Sequence, residues 1–242
     1  DLLARAGVDE VVTVHNHSGS VKSVYMDRFA GRFHDLHPAD VYADYMCESD
    51  IVDCGNLVLC APDSGALPFA REVRLRMDNP DIGLITMNKE RQGEWDVSVS
   101  VDPGSELPLE AVEGKDVVVL DDMVRTGKTI IECCRLIRTA RPNRVVFFVT
   151  HFNSTREGRV NMNDPCIDEI VTTSTIPSIL NRDVQGRLRH KMVVLRISKW
   201  ISSYVLQTLG ITSAPLRPPL YMEDMSSKNP RWKGHMGPLF TR

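Results

Sequence analysis

Several things are scarce or missing in this sequence, and each absence closes a class of function. There is no basic excess: 29 Lys and Arg against 32 Asp and Glu leave a formal net charge of -3 over 242 residues. A nucleic-acid partner is therefore not expected, because phosphate backbones call for clustered positive charge. No C-x-x-C pair occurs among Cys47, Cys54, Cys60, Cys133, Cys134 and Cys166. That spacing suits reduced thiols in a cytoplasmic protein better than a zinc site or a disulfide framework. No apolar run is long enough to span a bilayer, and no signal peptide is read, so no membrane partner is expected. Internal repeats and low-complexity blocks are absent too.

What is present is an ordinary globular composition, 42% hydrophobic and 25% charged, with enough chain to bury a sizeable core. Apolar, β-branched runs predict strands at 11–14, 57–60, 82–86, 117–120, 145–150, 167–173 and 192–197. Such runs do not alternate, which suits strands covered on both faces. Helices are predicted over 65–77, 129–140 and 198–209. In the second of these, Ile130, Ile131, Cys134 and Ile137 share one stripe. The alternation of strands with helices predicts an α/β fold with a mostly parallel open sheet flanked by helices. The opening DLLARAG reads as the end of an amphipathic helix already under way, so sequence upstream of Asp1 is expected. Residues 211–242, rich in proline and polar side chains, read as an irregular C-terminal tail. In it Trp232, Leu239 and Phe240 leave a docking role open.

The most informative segment is 117–129, VVVLDDMVRTGKT. Asp121 and Asp122 close an apolar strand, where an α/β sheet opens its ligand crevice. A turn and a helix start follow. A helix start offers unsatisfied backbone N–H groups and the positive end of the dipole, both suited to a phosphate. Thr126 and Thr129 add hydroxyls, and the paired carboxylates can accept hydrogen bonds from a vicinal diol. A phosphorylated ribose satisfies both halves. Alone, an Asp-Asp pair more often caps a helix. The GKT at Gly127–Lys128–Thr129 is not a nucleotide P-loop, because that motif needs glycine where Asp122 stands.

This loop resembles that of type I phosphoribosyltransferases, and especially of the ribose-phosphate diphosphokinase (PRPP synthetase) family. Further segments fit the same family in order and spacing. VTVHNHSGSV resembles its segment with a histidine at the metal–ATP complex, which implies that role for His17. APDSGA resembles its Pro-Asp-Ala-Gly turn, which implies a Mg²⁺ and ribose contact for Asp63. NKER resembles the start of its mobile catalytic loop, which implies charge stabilisation by Lys89 and Arg91. Taken singly, these segments read as a surface turn, a common Pro-Asp-Ser-Gly turn and a solvated basic turn. VTHFNS and CIDEIVTTSTIP match later structural segments.

The resemblance spans roughly residues 1–210 and implies a phosphoribosyltransferase-like fold. Residues 1–35 would be the end of a largely missing first domain, and 36–210 a second domain carrying the ribose-phosphate loop. It further implies transfer of diphosphate from Mg-ATP to the anomeric hydroxyl of ribose 5-phosphate or a related phosphosugar, giving PRPP and AMP, in a homo-oligomer. Asp121, Asp122, Arg125, Thr126, Gly127, Lys128 and Thr129 would bind that sugar. The chain departs from the pattern at Arg125, where the family usually carries an acid, and at Lys128, where it usually carries glycine. A more anionic, ADP-ribose-like acceptor would suit those changes. Competing readings are a non-catalytic regulatory subunit and a PRPP-consuming phosphoribosyltransferase. With most of the first domain missing, full activity is not expected of this chain alone.

Overall fold

The computed structural model describes residues 1–91, 97–211 and 216–224, with no account of the side chains of 90, 91, 97 and 182. Ten strands run in the order β1 (Val11–Val14), β2 (Phe33–Leu36), β3 (Leu57–Ala61), β4 (Gly83–Arg91), β5 (Val97–Val101), β6 (Asp116–Val124), β7 (Arg144–Phe152), β8 (Glu169–Thr173), β9 (Met192–Arg196) and β10 (Met222–Glu223). The helices are α1 (Leu2–Arg5), α2 (Gly19–Phe29), α3 (Ala39–Glu48), α4 (Leu67–Arg76), α5 (Lys128–Thr139), α6 (Arg156–Asn161), α7 (Arg182–Gln185) and α8 (Ser198–Thr208).

Eight strands form one sheet in the order β10-β9-β8-β7-β6-β3-β4-β5. Its pairings are parallel except β4 with β5 and β9 with β10. The valine-rich strands divide their side chains between two cores, as a two-residue period requires. Val118, Leu120, Val146 and Phe148 face one core, built with α3, α4 and α8. Val117, Val119, Val145 and Phe147 face the other, built with α5. Each fully buried aliphatic side chain of this kind contributes about 1.5–3 kcal/mol.

The connectivity positions the site. From β3 the chain moves outward to β4 and β5, then returns past β3 to β6 and continues the other way. Strand order reverses between β3 and β6, and a crevice opens beyond the C-terminal ends of strands at such a point.

The remaining strands, β1 and β2, pair in parallel with α2 between them, Val11 opposite Phe33. Ser18 caps α2 through Val21 N–H. Polar contacts tie this unit to the main sheet. His151 Nε2 donates to the carbonyls of Val14 at 2.9 Å and His15 at 3.1 Å. His37 bridges Asp35, at 3.3 Å, to Glu72 of α4, at 2.9 Å.

Asp35 carries much of this junction. Burial would raise its pKa, but hydrogen bonds from His37, the Asn16 N–H and Thr13 outweigh burial and hold the carboxyl well below its usual range.

The structure differs from the sequence reading in places. The strand that starts at Gly83 runs on through Asn88 and Lys89 to Arg91, because β5 pairs with it, Lys89 opposite Val99. The expected turn there is half of a hairpin. The opening segment is a four-residue helix with no buried residue. Part of the expected irregular tail returns to the sheet as β10, and Tyr221 is buried with its hydroxyl on Glu48 at 2.9 Å. Trp232, Leu239 and Phe240 lie outside the described residues.

Replacing Asp35 with alanine should cost about 2 kcal/mol, since it orphans several partly buried donors. A group with a depressed folded pKa stabilises above its unfolded value, near 4, and loses that contribution as pH falls. The gap between wild type and Asp35→Ala in urea unfolding should therefore be full at pH 7 and shrink below about pH 4. An equal gap at pH 7 and pH 3 would refute this account of the junction.

Candidate active site

The crevice at the strand reversal is a cavity of about 320 Å³. Its walls come from the end of β1, the turn after β3, β4, the end of β6 and the start of α5. His17, Asp63, Lys89, Asp121, Asp122, Arg125, Thr126, Gly127, Lys128 and Thr129 all line it. These are the residues named from sequence, with one exception: the side chain of Arg91, the last residue of β4, lies outside the described residues.

Each wall has a local cause. Beyond β3, the Asp63 carboxylate accepts the N–H groups of Gly65 at 3.0 Å and Ala66 at 3.1 Å. This Asx turn closes the corner before α4. On the other side, β6 runs past both acids to Val124. Asp121 Oδ1 accepts the Asp122 N–H at 2.9 Å. Gly127 then begins α5 with φ +74, a left-handed conformation that favours glycine. No side chain caps that helix, so its first turn presents backbone N–H groups to the cavity.

Charge is uneven here. Asp121 is partly buried and lines the cavity. Burial, together with Asp122 and Asp63, pushes its pKa up to about 8, against a smaller opposing pull from Lys89. Three carboxyls therefore converge on a site that also holds a lysine and the uncapped start of α5. His17, on the exposed rim, is hydrogen-bonded to Asp122 Oδ2 at 2.8 Å. Lys128 pairs with Glu157 at 3.4 Å.

His15 also lines the cavity and was missed in sequence. It stands at φ +48, hydrogen-bonded to Thr150 at 2.6 Å, with its ring centre 4.2 Å from that of Phe69. Burial, with His37 and His151 close by, lowers its pKa to about 3, so the ring is neutral. Its signal was the first histidine of VTVHNH, one residue past the end of β1.

Comparison with known proteins bears on this arrangement. The family profile of the phosphoribosyl transferase domain matches residues 47–180. The chain belongs to that family. Its curated relatives include the ribose-phosphate pyrophosphokinase of Corynebacterium efficiens, 27% identical over 177 residues, covering 73% of this chain and 51% of the relative. The enzyme of the same name from Haemophilus ducreyi is 24% identical over 208 residues, covering 85% of this chain and 59% of the relative. This supports the PRPP synthetase family that the motifs resemble. The chain thus spans a little over half the length of these relatives. Among solved structures, phosphoribosylpyrophosphate synthetase from Mycobacterium smegmatis superposes with a TM-score of 0.67 at 22% identity, covering 87% of this chain and 62% of that one. That likeness shows the fold, a phosphoribosyltransferase-like sheet with flanking helices. Among the described residues no helix is long and apolar enough to cross a membrane.

The raised pKa of Asp121 has a direct consequence. In the unfolded chain this acid ionises near 4, in the folded chain only near about 8, so stability falls as pH rises through that window. Asp121→Asn should therefore raise the melting temperature at pH 8 by about 4 °C or more, with the gain vanishing near pH 4. Thermal unfolding at the two pH values checks this; a loss of stability at pH 8 would contradict it.

Proposed function

We propose that this cavity binds the phosphosugar acceptor of a ribose-phosphate diphosphokinase. The protein would transfer the β,γ-diphosphoryl group of ATP to the anomeric hydroxyl of ribose 5-phosphate, giving PRPP and AMP. The observation that carries the reading is the meeting, in one cavity, of the Asp121–Asp122 pair with the uncapped start of α5 and with Lys89. The sugar phosphate sits against the backbone of Arg125 to Thr129, and its ring hydroxyls donate to the two acids. The anomeric hydroxyl attacks the β-phosphorus, its proton passing to solvent, while the bond from that phosphorus to the α–β bridging oxygen breaks and leaves the electron pair on AMP. Such transfer needs positioning and charge neutralisation more than covalent chemistry. Lys89, and Arg91 two residues further along β4, stabilise charge on the transferring group.

Among the described residues no three His, Cys, Asp or Glu side chains form a cluster able to hold a metal ion unaided. Mg²⁺ commonly takes one or two carboxylates and fills its octahedron with phosphate oxygens and water. The carboxylate oxygens at the cavity fit that habit, so Asp63, with His17 at the rim, would contact magnesium carried on the triphosphate. Bound there, magnesium would neutralise phosphate charge. Assembly into a homo-oligomer is part of the same reading, supported by the exposed apolar residues Leu2, Val21, Val24 and Met26.

The test is AMP release from ATP by the full-length protein with ribose 5-phosphate and Mg²⁺, followed by chromatography. Lys89→Ala should lower kcat by about 100-fold or more while changing the KM for ribose 5-phosphate little. Retained kcat would remove Lys89 from the catalytic assignment. Pyrophosphate release from PRPP in place of AMP release from ATP would favour a phosphoribosyltransferase. No turnover despite phosphosugar binding would favour a regulatory subunit.

A further inference from the structure

The segment after β7 touches the phosphate loop from the side away from the cavity, and it does so through the loop's carbonyl oxygens. The backbone N–H of Thr155 donates to the Arg125 carbonyl at 3.0 Å. At the far end of α6, the Asn161 side-chain amide donates to the Thr126 carbonyl at 2.9 Å. Gly158 lies between them, where an added Cβ would run into the Arg125 carbonyl oxygen. Thr155 fixes this start of α6 by accepting the Gly158 N–H on its hydroxyl at 3.0 Å. A close approach of backbone to backbone is thus built in by a cap, a glycine and an amide.

The consequence follows from the peptide bond. In a trans peptide the C=O and the next residue's N–H point in opposite directions. Holding the Arg125 carbonyl outward aims the Thr126 N–H inward. Holding the Thr126 carbonyl outward aims the Gly127 N–H inward. We propose that Asn161 is a positioning residue, whose hydrogen bond to the Thr126 carbonyl turns the Gly127 N–H toward the phosphate of the bound sugar, with Thr155 and Gly158 doing the same for Thr126.

This rests on the reading of the loop as a phosphate cradle, and it deepens that reading by naming what orients the cradle. Asn161 lines no part of the cavity, so it acts through the loop alone. Asparagine suits this role because its amide nitrogen donates, whereas an aspartate of the same shape presents only acceptor oxygens to a carbonyl.

The experiment is calorimetric titration of ribose 5-phosphate into the full-length protein, its Asn161→Asp and Asn161→Ala variants, and Gly158→Ala, with melting temperatures measured alongside. Asn161→Asp keeps the side chain's shape and removes the donor, so it should weaken binding about tenfold, the worth of one charge-assisted contact. Asn161→Ala should weaken it less than Asp does, and Gly158→Ala should weaken it at least as much as Asn161→Asp. If a variant fails to fold, the others carry the test, because they perturb the same peptide units from different atoms. In the folded variants, the Thr126 and Gly127 amide resonances should lose their shift on titration with ribose 5-phosphate. Wild-type affinity in both Asn161→Asp and Gly158→Ala would overturn the positioning role while leaving the phosphosugar site intact. Failure of the wild type itself to bind ribose 5-phosphate would overturn the cradle reading, and the positioning role with it.

Discussion

A buried carboxyl that shares a crevice with two others is the constraint around which this structure is arranged. Asp121 ends up there because β6 is central, with β3 on one side and β7 on the other, and because strand order reverses at β3. The same reversal brings the Asp63 turn across from it. A lone pair of acids at such a place would be a liability, since burial and mutual repulsion both oppose ionisation. The raised pKa of Asp121 reflects that cost. What surrounds the acids answers the charge in graded ways: Lys89 from β4, His17 on Asp122 at the rim, and the positive end of α5 just beyond. A ligand that brings hydroxyl donors for the acids and an anion for the helix end satisfies all of these groups at once.

Much of this arrangement was legible in the sequence, and the legible parts share a physical reason. The central strands are unbroken valine and isoleucine runs, which report burial on two faces. The loop 117–129 is contiguous, so its acids, turn and helix start could be read together. The less legible elements depend on partners distant in the chain. Lys89 and Arg91 read as a turn because nothing local announces that Val97–Val101 will pair with them. β2, Phe-His-Asp-Leu, has too little apolar pattern to declare itself outside its pairing with β1. α3 begins at Pro38 with no capping side chain, and its buried Tyr42, Tyr45 and Met46 sit among acids.

The site divides along the same line. Residues to which the proposed function gives a chemical role are visible by type, as Asp63, Lys89, Asp121 and Asp122 are. Residues that act by holding a backbone in place are not, because their identity matters less than where their atoms fall. The proposed role of Asn161 belongs to this second class, and His15 is likewise placed by contacts distant in the chain. His15 is neutral, buried and locked between Thr150 and Phe69. Asn161 reaches a main-chain carbonyl 35 residues away. No sequence spacing encodes either contact.

The two departures from the family pattern look different once the loop is seen in place. Arg125 and Lys128 add positive charge beside the phosphate cradle, which by itself favours an acceptor more anionic than ribose 5-phosphate. Yet Lys128 stands 3.4 Å from Glu157, and both side chains are more than 40% exposed. An acid on α6 thus compensates the lysine on α5, and an exposed pair of this kind exerts little net field. Arg125 is exposed, and its engaged atom is the carbonyl held by Thr155. The proposed cradle is a backbone structure, with Lys128 paired to Glu157 and Arg125 an exposed residue at the cavity wall. An exposed arginine at the rim is screened by solvent, so the two departures do not by themselves require an acceptor more anionic than the proposed ribose 5-phosphate.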